Sequence, residues 1–349
     1  MIPFQFERPG SIAEAGRQLQ AEGTMLLGGG TTLLDLMKLN VLTPSRLSFV
    51  KPLLDDSVSV KQAKLVIGAG CTMSQLADDE AVKDSLAAVR QSLILAASPQ
   101  IRNMATLGGN LLQRTRCTYF RHPDMPLNPE GDAELTFDTP GVETSMMAVL
   151  GNNGRLVGVY PGDFAVTLVA FAGQVRVTGH QGDRTIDARS FYHLPNKTEF
   201  QYSTALDRGE VITAIELPIS ATLRNSIYLK VRERSSYAFA LASASVGIEL
   251  DGDGNSATIK SANVGLGGLG SIPWHSPEAE NALVGQPATD NTFEQAADAA
   301  LANANPPPGT QYKVRLAKRT LVRALKILRD HGPLNDQELW AMQHGRGVQ

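Results

Sequence analysis

Two glycine clusters about eighty residues apart constrain this chain more than any other feature of it. The first is Leu26-Leu27-Gly28-Gly29-Gly30-Thr31-Thr32. The second is Ile101-Arg102-Asn103-Met104-Ala105-Thr106-Leu107-Gly108-Gly109-Asn110. Each sits where an apolar stretch gives way to small and hydroxyl residues. Such a turn exposes backbone N–H groups with no side chain in the way, which suits a diphosphate. Either cluster alone reads equally well as a tight strand-to-helix turn. Together, with Thr106 and Asn110 adding side-chain donors, they favour a dinucleotide held between two segments.

The 349 residues leave room for two domains, and 42% hydrophobic with 19% charged residues is ordinary for a globular protein. A formal net charge of -3 gives no electrostatic footprint for nucleic acid. Cys71 and Cys117 are the only cysteines, too few for a disulfide framework or a protein-held iron–sulfur cluster. Met1 to Gly10 lacks a cationic start followed by an apolar run, and no stretch approaches 18 apolar residues, so neither a signal peptide nor a membrane span is expected. A cytoplasmic location follows, with periplasmic co-export on a partner as the alternative.

Ser11 and Glu14 have capping-box spacing, Ile12, Ala15 and Leu19 continue at helical period, and Gly23 ends the run. Met25 to Leu27 predicts a strand into the first glycine cluster. Thr31 or Thr32 then caps a helix with Leu33, Leu36 and Met37 on its apolar face. A strand at Arg46–Val50 completes a compact unit over residues 1–52. Beyond Pro52, Val58, Val60 and Leu65–Ile67 predict strands, Thr72 and Gln75 a second capping box, and Val82, Leu86, Val89 and Leu93 one helix. Residues 121–145, rich in proline, glycine and acids, predict a surface insertion. Strands are expected at Met146–Leu150, Leu156–Val159 and Val175–Val177, with a short helix after Asp163.

A boundary falls near Pro218–Arg224. Strands at Ile227–Val231, Ala242–Leu250 and Ala257–Val264 follow, the last two joined by Asp251-Gly252-Asp253-Gly254. Helices are expected at Glu278–Leu283, Phe293–Asn303 and Tyr312–Arg329. Gly265-Leu266-Gly267-Gly268-Leu269-Gly270 matches the G-x-G-x-x-G spacing, but Ser271-Ile272-Pro273-Trp274 follows it instead of a helix. A nicotinamide-binding reading is therefore rejected in favour of a turn. The six histidines show no metal-ligand spacing. Cys117, between Arg116 and Thr118, is either a thiol activated by nearby cations or an inert leftover, the second being preferred. On the strand around Lys230, cations either face solvent or touch a ring system at the domain interface, with Lys230 or Tyr237 as the contact.

At these residues the chain resembles a known family. Leu27-Gly28-Gly29-Gly30-Thr31, Ile101-Arg102-Asn103-x-Ala105-Thr106-x-Gly108-Gly109-Asn110, and Lys230-x-Arg232-x-Arg234-Ser235-x-Tyr237-Ala238 are similar to the FAD-binding medium subunit of molybdenum hydroxylases. Val264–Gly268 with Ile272-Pro273-Trp274, and Tyr312-Lys313-x-x-Leu316-Ala317-x-Arg319, match too. The resemblance covers about residues 1–330. It implies an α+β protein, with an FAD-binding domain of the vanillyl-alcohol oxidase type over 1–220 (two α/β subdomains, about 1–52 and 53–220). A smaller C-terminal α+β domain over 221–330 and a tail over 331–349 complete it.

The FAD contacts implied by the resemblance are Leu26, Leu27, Gly28, Gly29, Gly30, Thr31, Thr32, Leu33, Ile101, Thr106, Gly109 and Asn110. The amides of Gly28–Thr32 and Gly108–Asn110 hold the diphosphate, Asp163 meets the adenosine ribose, and Lys230 sits near the isoalloxazine carbonyls. The segment Gln113–Arg121 is most similar to bacterial aldehyde oxidoreductase subunits, some of which carry a [4Fe–4S] cluster there. With Cys117 alone in this region, no such cluster is expected. Electrons would pass from a molybdopterin-binding large subunit through a [2Fe–2S] small subunit to FAD on this chain, then to an external acceptor. No catalytic residue and no metal ligand are expected on this chain. The runner-up is a self-sufficient flavin oxidase on the same fold. Its usual flavin tether is missing, because the second domain offers only His275 near its core and no cysteine. A module that has lost FAD is disfavoured by the intact second cluster.

Overall fold

The computed structural model describes residues 1–122, 124, 135–195 and 203–343. Its first unit is a three-stranded parallel sheet in which Arg46–Phe49 lies between Gln5–Glu7 and Thr24–Leu27. The helix Ile12–Leu19 precedes the strand Thr24–Leu27, with the Ser11 hydroxyl accepting from the Glu14 amide. The reciprocal half of that capping box is altered: the Glu14 carboxylate accepts from Gly10 N–H. Leu27, Met37 and Leu47 form the small core beneath.

The second unit is a five-stranded sheet in the order Val58–Lys61, Lys64–Gly68, Val211–Pro218, Gln174–Gly179, Gly182–Asp187, every pair antiparallel. Leu65, Ile67, Val175, Val177, Ile215 and Leu217 join the large core under it. Thr72 and Gln75 make both hydrogen bonds of their capping box and start the helix Met73–Asp78. The single helix expected through Val82–Leu93 is two, Glu80–Lys83 and Ala87–Ile94, because the chain leaves helical geometry at Leu86, whose side chain is fully buried.

The C-terminal sheet is antiparallel in the order Ser226–Val231, Ala242–Asp251, Thr258–Gly267, Trp274–His275. The helices Pro277–Leu283, Asp290–Ala300 and Gln311–His331 pack against it around Val246, Ile248, Phe293, Leu321 and Leu325. Residues 331–349, expected as a tail, include a helix, Asp336–Gln343. Leu334 and Leu339 are buried, and Arg90 binds Asp336 at 2.7 Å.

The helix Phe164–Ala170 joins the units, and all seven of its residues are buried. The third glycine pattern explains itself here. A Cβ on Gly265 would lie 2.6 Å from Val166 O, and one on Gly267 would lie 2.7 Å from Val166 Cγ2. These glycines let a helix lie directly on the C-terminal sheet; they do not cradle a nucleotide. Two expected strands are absent: over 146–150 and 156–159 the chain makes only the isolated bridges Met147–Gly158 and Leu150–Gly270. The described part of the insertion is better anchored than its composition suggests. Leu135 packs with Met147 and Leu156, and the Thr144 hydroxyl donates to Pro308 O.

Candidate functional site

The strand Thr24–Leu27 delivers the first glycine cluster to the top of the parallel sheet. Leu27 turns its side chain into the core with Leu33 packed nearby, and Leu26 is half-buried, so backbone is what this turn presents. Gly30 has φ +75°, a left-handed conformation that other residues adopt at a cost. Among the described residues, the amides of Gly28, Gly29, Gly30, Thr31 and Thr32 find no acceptor. Thr32 caps the short helix Leu33–Lys38 by position alone, without a side-chain hydrogen bond.

The second cluster lies against the first. A Cβ on Gly29 would stand 1.9 Å from Met104 O, and one on Gly28 would stand 2.8 Å from Thr106 Oγ1. Its internal structure differs from expectation. Residues Leu107–Leu111 form one helical turn capped by Thr106, so its amides are spent inside the protein. Gly108 N–H donates to Ala69 O at 3.0 Å, Gly109 N–H to Thr106 Oγ1 at 3.4 Å, and Asn110 N–H to Thr106 O at 2.8 Å. The expected cradle of Gly108–Asn110 amides is therefore corrected. This side offers the Thr106 hydroxyl proton and the Asn110 carboxamide. Asn110 Oδ1 is buried with no partner, while Nδ2 reaches only Met73 Sδ at 3.5 Å. Ile101 is half-buried on the turn Pro99–Arg102 and packs on the main core.

The pieces are held rigidly. Met73 N–H donates to Ala105 O and Leu107 N–H to Cys71 O, strapping the second cluster to the strand-to-helix turn at 69–73. A bulge between Ile212 and Ala214 frees Thr213 O to accept from Ala69 N–H. Unpaired amides on the first cluster, with a hydroxyl beside them and an orphaned carboxamide oxygen on the second, fit a diphosphate flanked by sugar hydroxyls.

Asp163 and Lys230 meet each other. Lys230 Nζ donates to Asp163 Oδ2 at 2.8 Å and to Leu95 O at 3.0 Å, and Tyr228 Oη donates to Asp163 Oδ1 at 2.5 Å. All three side chains are buried. The two roles expected for the ion pair conflict. In an extended dinucleotide the adenosine ribose and the flavin carbonyls lie at opposite ends of the diphosphate, so one contact pair cannot serve both. Burial and the adjacent Asp163 carboxylate push the Tyr228 phenol well above its ordinary pKa. Sequence reasoning missed Tyr228 and the Leu95 carbonyl. The signal for Tyr228 was its alternation with Lys230 along one strand face.

Elsewhere the bland readings prevail. Burial raises the pKa of the Cys117 thiol despite its arginine neighbours, and that of Cys71 to about 12. Arg116 and Arg121 turn instead to Asp35, which both bind. His275 pairs with Glu280 at 3.0 Å. Tyr237 is exposed at φ +50°, with Arg234 donating to its carbonyl. Among the described residues, no three His, Cys, Asp or Glu side chains converge as a metal site.

This fold and site define a nucleotide-binding domain of two subdomains carrying an α+β domain at its C-terminal end. Residues 2–220 match the FAD binding domain in molybdopterin dehydrogenase, and residues 227–328 match the CO dehydrogenase flavoprotein C-terminal domain. The chain belongs to this family of FAD-binding oxidoreductase subunits. It is 38% identical to the aldehyde oxidoreductase FAD-binding subunit PaoB of Escherichia coli (strain K12), over 93% of this chain and 98% of that one. It is 28% identical to the carbon monoxide dehydrogenase medium chain of Afipia carboxidovorans, over 93% and 97%. A solved structure of reconstituted CO dehydrogenase from Oligotropha carboxidovorans superposes with TM-score 0.72 at 26% identity, over 94% of this chain and 99% of that one.

Proposed function

We propose that the chain is the FAD-carrying electron-transfer subunit of a molybdenum hydroxylase that oxidises aldehydes, with molybdopterin on a large partner subunit and [2Fe–2S] clusters on a small one. The contact between the two glycine clusters, with free amides on one side and the orphaned Asn110 oxygen on the other, carries the FAD reading. The 38% identity to an aldehyde oxidoreductase subunit supports the substrate class. No described helix is long and apolar enough to cross a membrane.

In this mechanism the Gly28–Thr32 amides would donate to the diphosphate, Thr106 would donate its hydroxyl proton, and Asn110 would hold a sugar hydroxyl. The bound flavin would supply the exchange between single electrons and pairs, and the protein fixes its position and field. No side chain here needs to move a substrate proton. The test is direct. The purified chain is expected to hold about one FAD, seen as absorbance near ~450 nm and released on denaturation as FAD and not FMN. A chain that neither carries nor binds FAD would overturn the reading.

The same sample tests the cluster expectation. With only Cys71, which is buried, and Cys117, which is partly buried, and both thiols raised in pKa, iron should be absent from the isolated subunit. About four irons per chain, as a [4Fe–4S] cluster requires, would refute it.

A further inference from the structure

We propose that residues 332–343 are an interdomain clasp, holding the helix Ala87–Ile94 of the first domain against the C-terminal domain. Neither matched region reaches this segment, since the second ends at residue 328. The sequence turns the chain back at this point. Gly332, at φ +72°, ends the long helix Gln311–His331 with its N–H donating to Leu328 O, and Pro333 follows. Asn335 and Glu338 then start the helix Asp336–Gln343 by reciprocal capping. Asn335 Oδ1 accepts from the Gln337 and Glu338 amides, and Glu338 Oε2 accepts from Asn335 N–H. Capping forms this helix, but distant partners dock it.

Those partners come from both domains. Leu334 and Leu339 are 3% and 2% exposed and belong to the core built on the C-terminal sheet. The polar groups of the same segment turn to the first domain. Asp336 Oδ2 accepts from Arg90 Nε at 2.8 Å and from Arg90 Nη2 at 2.7 Å, and Leu334 O accepts from Gln91 Nε2 at 2.8 Å. Arg90 and Gln91 are in turn committed elsewhere. Arg90 Nη1 donates to Ala77 O in the helix Met73–Asp78, and Gln91 Oε1 accepts from Tyr228 N–H of the strand Ser226–Val231 at 2.8 Å. One turn of the helix Ala87–Ile94 is thus bonded to a C-terminal strand and to the tail at once. The Arg90–Asp336 contact is of the charge-assisted kind, the stronger class of hydrogen bond. If the tail lifts, Asp336 leaves Arg90, the buried Gln91 Nε2 loses its acceptor, and two leucines of the other domain's core meet water. The interface then loosens from both sides.

Hydrogen exchange in the full-length chain tests this, comparing wild type with Asp336→Ala and Leu339→Ala. Both variants are expected to speed exchange of the amides in Ala87–Ile94 by about tenfold or more, and to lower Tm by roughly 3–6 °C. The strand Val211–Pro218, remote from the tail in the first domain's sheet, should keep its wild-type rates. Leu339→Ala is the decisive variant, because its lost packing lies in the C-terminal core while the effect is read in the first domain. Wild-type exchange in Ala87–Ile94 for Leu339→Ala would mean that the tail serves its own domain alone, and overturns the proposal. An equal rise in Val211–Pro218 would mean general loosening, and overturns it too. Should either variant fail to fold, Asp336→Asn keeps the shape and removes the charge, with faster exchange in Ala87–Ile94 expected and wild-type exchange overturning.

Discussion

Gly29→Ala is expected to lower FAD affinity on the order of a hundredfold while leaving the C-terminal domain folded. The added Cβ would lie 1.9 Å from Met104 O, 2.7 Å from Met104 C and 3.2 Å from Ala105 Cα. All three are backbone atoms, so no side chain can swing aside. The segment holding them is fixed by Ala105 O accepting from Met73 N–H and by Leu107 N–H donating to Cys71 O. Relief therefore comes from moving the first cluster away, which separates the Gly28–Thr32 amides from Thr106 and Asn110. Overpacking of this kind costs about 1–3 kcal/mol, and ~3 kcal/mol is about a hundredfold in affinity. Gly30→Ala is the informative comparison. Its Cβ would meet Leu34 Cδ1 at 2.9 Å, the end of a flexible side chain, leaving mainly the strain of φ +75°, about 1 kcal/mol. Titration of each apoprotein with FAD, followed by flavin fluorescence, ranks the two. Equal affinity of Gly29→Ala and wild type would mean that the clusters need not touch to bind the cofactor.

What could be read from the sequence was whatever neighbours in the chain decide. The capping box at Thr72 and Gln75 spans three residues and formed as written. The turn at Gly28–Thr32 was legible because its chemistry is backbone exposure, which glycine announces. The second cluster misled because the acceptor for Gly108 N–H is Ala69 O, far back in the chain and revealed by nothing near Gly108. The Asp163–Lys230 pair spans 67 positions, so each residue looked like a separate ligand contact. Met146–Leu150 has strand-like residues, but Val149 and Leu150 both donate to Leu269 O, a partner in the other unit, and no ladder develops. The helix Asp336–Gln343 depends on Arg90, and no local pattern distinguishes a docked helix from a frayed end.

Lys313→Met is expected to stabilise the protein by about 1–3 kcal/mol at neutral pH, unusual for a substitution in a family motif. Lys313 is fully buried in the first turn of the helix Gln311–His331, and its ammonium finds no acceptor among the described residues. The positive end of the helix dipole adds a further penalty at that turn. Burial lowers its pKa from 10.5 to about 8, which amounts to about 3 kcal/mol against the charged form. Below about pH 8 both folded and unfolded chains carry the charge, so the full cost of burying it is present. Between about 8 and 10.5 the unfolded chain still binds the proton that the folded chain has released, so this group makes stability rise with pH. Methionine has similar length and no charge to bury, so it removes both the cost and the pH dependence. Urea unfolding of both proteins at pH 7, 8.5 and 10 would show the advantage of Lys313→Met shrinking as pH rises. A variant less stable than wild type at pH 7 would mean that the amine has an acceptor, and that the motif keeps its lysine for a buried ion pair whose loss outweighs the desolvation relieved.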